Sequence, residues 1–226
     1  MKLTYYGHSC FEVVVNGKIL LFDPFISGNE LAKDIDISAL KPDYILLSHG
    51  HADHVADVEQ IGKQSGATII SNFEVVNWFG SKGIEKSHPM NHGGSWQFDF
   101  GTVKYVNAVH SSSMPDGSYG GNPGGFIVST DEKTFYFAGD TALTMDMQLI
   151  PKFHQLDLAI LPIGDNFTMD IKEAVMAADF VQCNKVLGVH YDTFGFIKID
   201  HGAAKKAFSD EGKELLLPAI GESVEF

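Results

Sequence analysis

Apolar positions fall in short runs along most of this chain, and the spacing changes repeatedly between that of a strand and that of a helix. "KLTYY", "CFEVVV" and "KILLFD" are β-rich and are broken at Gly7 and at the Asn16-Gly17 pair, which predicts a tight hairpin. "DYILLS" is a continuous apolar run, as in a strand buried on both faces. "VADVEQIGKQSG" carries helical spacing and stops at Gly66; "ATIIS" predicts a further strand and Glu74 to Phe79 a helix. The middle of the chain turns β-rich again, with "SWQFDF", "TVKYVNAVH", "GGFIVST" and "TFYFAGD". From Met147 onward helices and strands alternate: a helix near Gln148 to His154, the strand "LDLAILPI", the helix "DIKEAVMAADFVQ", the strand "KVLGVH", the helix "HGAAKKAFSDEG", then short strands. In the second of these helices Ile171, Ala174, Val175 and Ala178 share one face, while Lys172, Glu173 and Asp179 take the other. "SSSMPDGSYGGNPGG", from Ser111 to Gly125, is too irregular for a strand and reads as a loop beside a site, either an ordered one or a mobile lid. The pattern predicts an α/β chain organised as one domain over residues 1–226, with two sheets and outer helices.

Composition narrows the partners. The formal charge of −13 disfavours nucleic acid and acidic membranes. Every basic side chain is a lysine, so the bidentate guanidinium grip on phosphate is absent. No apolar run is long enough to span a bilayer, and "MKLTYYGHSCFEVVV" lacks the basic, apolar and small-residue regions of a signal peptide, so it is read as the first strand. Two cysteines, Cys10 and Cys183, suggest no disulfide framework and a cytoplasmic location. A homo-oligomer is compatible with all of this.

The chemistry concentrates in "ILLSHGHADHVAD", where His49, His51, Asp53, His54 and Asp57 follow an apolar run. His49 and His51 are two residues apart and in an extended segment point the same way, while Asp53 and His54 sit on the following turn. Gly50 and Ala52 let the backbone come close to an ion. Three more candidates close apolar strand runs: His110 after "VKYVNAV", Asp140 after "TFYFAG" and His190 after "KVLGV". Strand ends are where α/β sheets place ligands. Five imidazoles and two carboxylates suit two adjacent divalent ions, zinc or manganese rather than iron.

The order H-x-H-x-D-H, strand-end His, G-D-T, strand-end His resembles the metallo-β-lactamase superfamily over nearly the whole chain. "YYGHSCF", "MNHGGSW", "LPIGDNFTMD" and "HYDTF" are similar to a small bacterial branch of metal-dependent hydrolases close to the ascorbate-phosphate lactonases. The resemblance implies an αββα sandwich of two mixed sheets flanked by helices. It also implies that His49, His51 and His110 hold one ion, that Asp53, His54 and His190 hold the second, and that Asp140 bridges them. Asp23, in "LFDPF", falls where the superfamily supports a ligand histidine; a turn-initiating Asp before Pro24 is the alternative. The di-iron redox branch has a carboxylate where this chain has Gly50, so hydrolysis is favoured.

The implied activity is attack by a metal-bridging hydroxide on an ester, lactone or phosphoester of a small polar substrate, with Asp53 or His8 moving the proton to the leaving group. His8 reads equally well as a buried structural histidine. Asn166, Thr168 and Asp192 are candidate pocket groups or ordinary turn and cap residues, and Asp165 departs from the small residue usual after "PIG". Lys198, past "HYDTFGF", is placed at the rim as a point charge for an anionic substrate. His92 is not assigned to metal, and His88, His154 and His201 read as surface or cap residues. Cys10 reads as a buried strand residue. The alternatives are a metal-loaded binding or regulatory protein without chemistry, or a nuclease of the same superfamily, which the charge disfavours.

Overall fold

Asn16 and Gly17 both adopt left-handed backbone, with φ of 48° and 77°, and the hairpin they close starts a meander of three strands. In the computed structural model, which describes residues 1–226, these are β1 (Lys2–Gly7), β2 (Cys10–Val15) and β3 (Lys18–Phe22). Three parallel strands then extend the sheet: β4 (Tyr44–Leu46), β5 (Thr68–Asn72) and β6 (Ser87–Met90). A second sheet repeats this plan. β7 (Ser95–Gln97), β8 (Thr102–Asn107), β9 (Gly124–Ser129) and β10 (Thr134–Phe137) are antiparallel. β11 (Leu158–Pro162), β12 (Lys185–Val189) and β13 (Glu214–Leu216) add to β10 in parallel. The last strand, β14 (Ser223–Glu225), returns to pair with β1, so each sheet has seven strands.

The sheets face each other through aromatic side chains. Phe11 and Phe22 of the first sheet stack at 4.5 Å between centroids. The Phe22 ring lies edge-on to Phe126, Phe135 and Phe137 of the second sheet. The other face of the first sheet buries Leu21, Ile45 and Ile69 under α2 (Val58–Ser65) and α3 (Phe73–Ser81). The second sheet is covered by α4 (Ile171–Phe180) and α5 (His201–Asp210), through Ala174, Ala177, Ala178 and Phe208. The layers are therefore helix, sheet, sheet, helix, as expected.

Several local expectations are refined. The helical run expected from Val55 is interrupted: Val55 ends a short α1 (Ala52–Val55) and α2 starts at Val58, with Asp57 between them. The Asp57 carboxylate accepts from the backbone N–H of Ile26 and Ser27 and from the Ser27 hydroxyl, so it anchors the loop after β3 rather than facing the site. The expected helix at Gln148 to His154 is a 3₁₀ helix over Met145–Lys152, because Pro151 cannot donate an α-helical hydrogen bond. The strand in "SWQFDF" stops at Gln97. α4 meets its predicted start and face: Asp170 and Glu173 form a capping box. The strand runs ending in His110 and Asp140 stop three residues earlier, at Asn107 and Phe137, so these donors ride on loops beyond the strands. No helix is long and apolar enough to cross a membrane.

Phe22 is the ring common to most of the contacts between sheets. Phe22→Ala should lower unfolding free energy by about 3–5 kcal/mol, the usual cost of emptying a core aromatic site. Equilibrium denaturation in urea with an unchanged m-value checks it; a loss below about 1 kcal/mol would mean that the rings do not hold the sheets together.

Candidate metal centre

The loops that follow β3, β4, β8, β10 and β12 converge with α1 at one edge of the sandwich. Asp23 follows β3 directly, in left-handed backbone with φ of 40°, and is fully buried. Its Oδ1 accepts from the Ser48 N–H at 2.8 Å, and its Oδ2 accepts from the Ser48 hydroxyl at 2.5 Å and from His54 Nδ1 at 2.8 Å. The Ser48 hydroxyl has one proton and gives it to Asp23, so its contact with His49 Nδ1 at 2.9 Å requires the imidazole to donate. Asp23 thus sets two rings, one directly and one through Ser48, and leaves Nε2 of both His49 and His54 with a free lone pair whenever the rings are neutral. The turn-initiating alternative for Asp23 does not account for these bonds.

The remaining donors meet those lone pairs. His49 Nε2 lies 2.9 Å from His51 Nδ1, and the His49, His51 and His110 rings pack edge to face around each other. Asp140 Oδ2 lies 3.0 Å from His190 Nε2, 3.2 Å from His54 Nε2 and 3.7 Å from His110 Nε2, in reach of both groups of histidines. Donor atoms of His49, His51 and His110 lie within 4.8 Å of one another, and so do those of His8, Asp53, His54 and His190. His54 Nε2, Asp140 Oδ1 and His190 Nδ1 are buried yet make no hydrogen bond. Buried polar atoms are rarely left this way without a further partner. For His54 Nε2 and Asp140 Oδ1, which belong to this donor cluster, a divalent cation is such a partner, and the nitrogen and oxygen donor set fits one.

His8 belongs to this assembly, a placement its position near a strand end only hinted at. Its Nε2 is 3.1 Å from Asp53 Oδ2 and its Nδ1 is 3.0 Å from the Thr193 hydroxyl. Burial pulls the His8 imidazole down to about 4, against the opposing hydrogen bond to Asp53, so the ring is neutral at physiological pH. A neutral ring that donates from Nε2 to Asp53 must accept at Nδ1, where the donor in reach is the Thr193 hydroxyl, shared with the Tyr191 carbonyl at 3.3 Å. Burial raises the Asp53 carboxyl, but the His8 hydrogen bond and the His54 charge outweigh it and hold the group below the usual carboxylate range. For His54 burial opposes the charge, and Asp140 and Asp23 overcome it, so its proton is held more tightly than that of a free imidazole. Burial lowers His49, His51 and His110.

Gly50 fits only because it has no side chain: a Cβ there would meet the Met114 sulfur at 2.5 Å and the Ser113 carbonyl oxygen at 3.1 Å. There is no room for a carboxylate between the two histidines. The glycine-rich loop is closed on itself and tied to this turn. Ser113 bridges to Tyr119, the Ser112 hydroxyl accepts from the Gly50 N–H at 3.1 Å, and Asn72 donates to the carbonyls of Gly120 and Asn122.

A cleft of about 740 Å³ opens over the donors, lined by His51, Asp53, His110, Asp140 and His190 and walled by Phe167, Phe194 and Phe196. The predicted substrate contacts fall outside this lining. The Asp192 carboxylate accepts from the Ile199 N–H at 3.1 Å and pairs with His201 at 2.7 Å, which shapes its own loop. Asn166 forms part of a left-handed turn that carries Phe167 into the cleft. Lys198 does not line the cleft, and Thr168 contributes only a buried hydroxyl without a partner. His92 bonds to the Pro123 carbonyl and stacks on Tyr105, away from the donors. The three phenylalanines, Ser48 and Thr193 carry no periodic signal; "LLSHGH" and "HYDTFGF" held Ser48, Thr193, Phe194 and Phe196 next to the candidate ligands, and "LPIGDNFTMD" held Phe167.

Comparison with known proteins agrees with this architecture. The family described as "Beta-lactamase superfamily domain" matches residues 19–191. A UPF0173 metal-dependent hydrolase of Flavobacterium johnsoniae is 60% identical over 225 residues, covering 100% of both chains. The corresponding protein of Christiangramia forsetii is 59% identical, again over 100% of both. Among solved structures, Igni18, a metallo hydrolase of the archaeon Ignicoccus hospitalis, superimposes with a TM-score of 0.89 at 34% identity, covering 100% of this chain and 98% of that one. With its sheets, its donor loops and these full-length relatives in agreement, the chain belongs to the metallo-β-lactamase superfamily and, within it, to the UPF0173 metal-dependent hydrolases.

Proposed function

We propose that this protein is a cytoplasmic binuclear hydrolase that cleaves an ester, lactone or phosphoester bond of a small molecule, with zinc or manganese as its ions. The observation that carries this reading is the convergence of five imidazoles and two carboxylates, with the buried His54 Nε2 and Asp140 Oδ1 unpartnered, at and beneath the floor of an open cleft. His49, His51 and His110 would hold one ion, and Asp53, His54 and His190 the other, with Asp140 between them. When bound, the ions supply an activated water and a Lewis acid for the acceptor oxygen. His8 lies close enough to the second group to be a further donor there.

The protein's own groups do the rest. Asp23 and Ser48 hold the His49 and His54 tautomers, so that no ring reorganises during turnover. Asp53 is 29% exposed at its side chain and opens to the cleft, which suits it to carry a proton towards the leaving group. The neutral His8 donates to it and keeps its carboxylate ionised. The two buried, unpaired cysteines suit a reducing compartment. The charge of −13 and the absence of arginine argue against polynucleotide substrates.

Three outcomes test this reading. Purified protein should carry about two divalent ions per chain, and chelation should abolish hydrolysis across a panel of esters, lactones and phosphodiesters. Full activity in metal-free protein would end the proposal. Asp140→Ala should lose turnover while its thermal unfolding stays close to wild type, and Asp23→Asn should weaken metal retention by roughly 10–100-fold. An Asp140→Ala variant that keeps both ions and near wild-type turnover would remove the bridging assignment.

Acid should release the ions. Imidazole coordinates only when neutral, and Asp140 and Asp23 strengthen the proton's hold on His54, so protons and metal compete for that ring. Retention should therefore fall as pH falls, and added metal should move the midpoint to lower pH. A midpoint indifferent to metal concentration, measured by dialysis and elemental analysis, would contradict the competition.

A further inference from the structure

The cleft has two chemically distinct sides, and only the polar one is used by the reading above. On the other side Phe167 is 50% exposed and Phe196 is 77% exposed. Their rings pack edge to face at 6.4 Å. Phe194 sits deeper, 5.4 Å from the His8 ring, and so joins this wall to the donor floor. Leaving such rings in water gives up the stabilisation that burial would provide.

The loops that display these rings are held in costly backbone. Asp165 and Asn166 have φ of 62° and 54°, and His190 and Asp192 have φ of 57° and 63°. Non-glycine residues reach this region only where surrounding contacts impose it. Here the Asp165 N–H bonds to the Met169 carbonyl at 3.0 Å, and the Asp192 N–H bonds to the carbonyl of the buried Ile197 at 2.8 Å. The phenylalanines are thus carried on pinned turns that hold apolar surface beside the reacting centre. Lys198, the charge expected to favour an anionic substrate, is not in the lining.

We propose that Phe167, Phe194 and Phe196 form an apolar subsite that receives a hydrocarbon portion, alkyl or aryl, of the substrate whose polar group meets the donor cluster. This rests on the hydrolase reading and departs from a wholly polar substrate: the scissile group is polar and its substituent is not.

The test uses metal-loaded protein and titration calorimetry with acetate, butyrate, hexanoate and 3-phenylpropanoate. Their carboxylates are matched, and their hydrocarbon portions grow. Affinity should rise roughly threefold to fourfold for each methylene that reaches the wall. In Phe167→Ala/Phe196→Ala the ratio of hexanoate to acetate affinity should fall by about tenfold or more, with thermal unfolding confirming that both exposed positions tolerate the change. Phe153→Ala removes a ring that is also 77% exposed but lies away from the cleft, and should keep the wild-type ratio. A flat series in the wild type, or the same slope in the double variant, overturns the subsite. Ester turnover is measured alongside: no turnover with a clear affinity slope removes the hydrolase reading and keeps the subsite, whereas turnover with a flat slope removes the subsite alone.

Discussion

Asp23 is buried without a counter-charge of the lysine type, and it is stable there because every donor around it is aimed at its two oxygens. The Ser48 N–H and hydroxyl and the His54 ring tie the end of β3 to the turn after β4 and to α1. Burial raises the carboxyl group and His54 opposes the rise. The same bonds decide which nitrogen of His49 and His54 is free. Without this anchor the donors would be a collection of histidines on loops; with it, their lone pairs face one volume. The sheets serve this arrangement by placing three parallel strand ends of each sheet at the same edge, where backbone leaves the ladder and side chains can converge.

Packing constrains the site as strongly as hydrogen bonding does. A Cβ at Gly164 would lie 2.1 Å from the His190 carbonyl oxygen, so the chain beyond β11 can approach the loop beyond β12 only through a glycine. That approach brings the turn bearing Phe167 next to the loop bearing Phe194 and Phe196. The backbone N–H of His190 is in turn bonded to the His8 carbonyl, which fixes the first strand's exit against the last donor. Residues far apart in the chain therefore share one wall, and the floor and the apolar side of the cleft cannot shift independently.

Electrostatics at the floor divides the labour between two carboxylates. Asp140 is enclosed, with His190 and His54 holding it well below the ordinary carboxylate range against the effect of burial. Asp53 is ionised as well but meets the cleft, and one of its oxygens already accepts from a neutral His8. The first is closed off among histidines, and the second meets whatever occupies the cleft.

The sequence by itself determined the layer plan and which residues are candidate donors. Strand and helix periods are local properties, written in every second or every third and fourth position, so α2, α4, α5 and most strands were legible together with the Gly66 stop and the Asn16-Gly17 hairpin. Donor types were legible too, because His49, His51, Asp53 and His54 crowd one segment and His110, Asp140 and His190 each follow an apolar run. What these groups face was decided only by tertiary structure. The Asp23–Ser48–His49 relay, the pairing of His8 with Asp53 across 45 positions, and the meeting of Phe167 with Phe196 all join segments distant in sequence. Asp192 and Lys198 looked like pocket groups because they closely follow the last ligand candidate along the chain, and Asn166 because it stands in "LPIGDNFTMD". Their loops turn through left-handed backbone and bring the phenylalanines to the cleft in their place. A loop has no period from which such a direction can be read; long-range hydrogen bonds and close backbone approach set it.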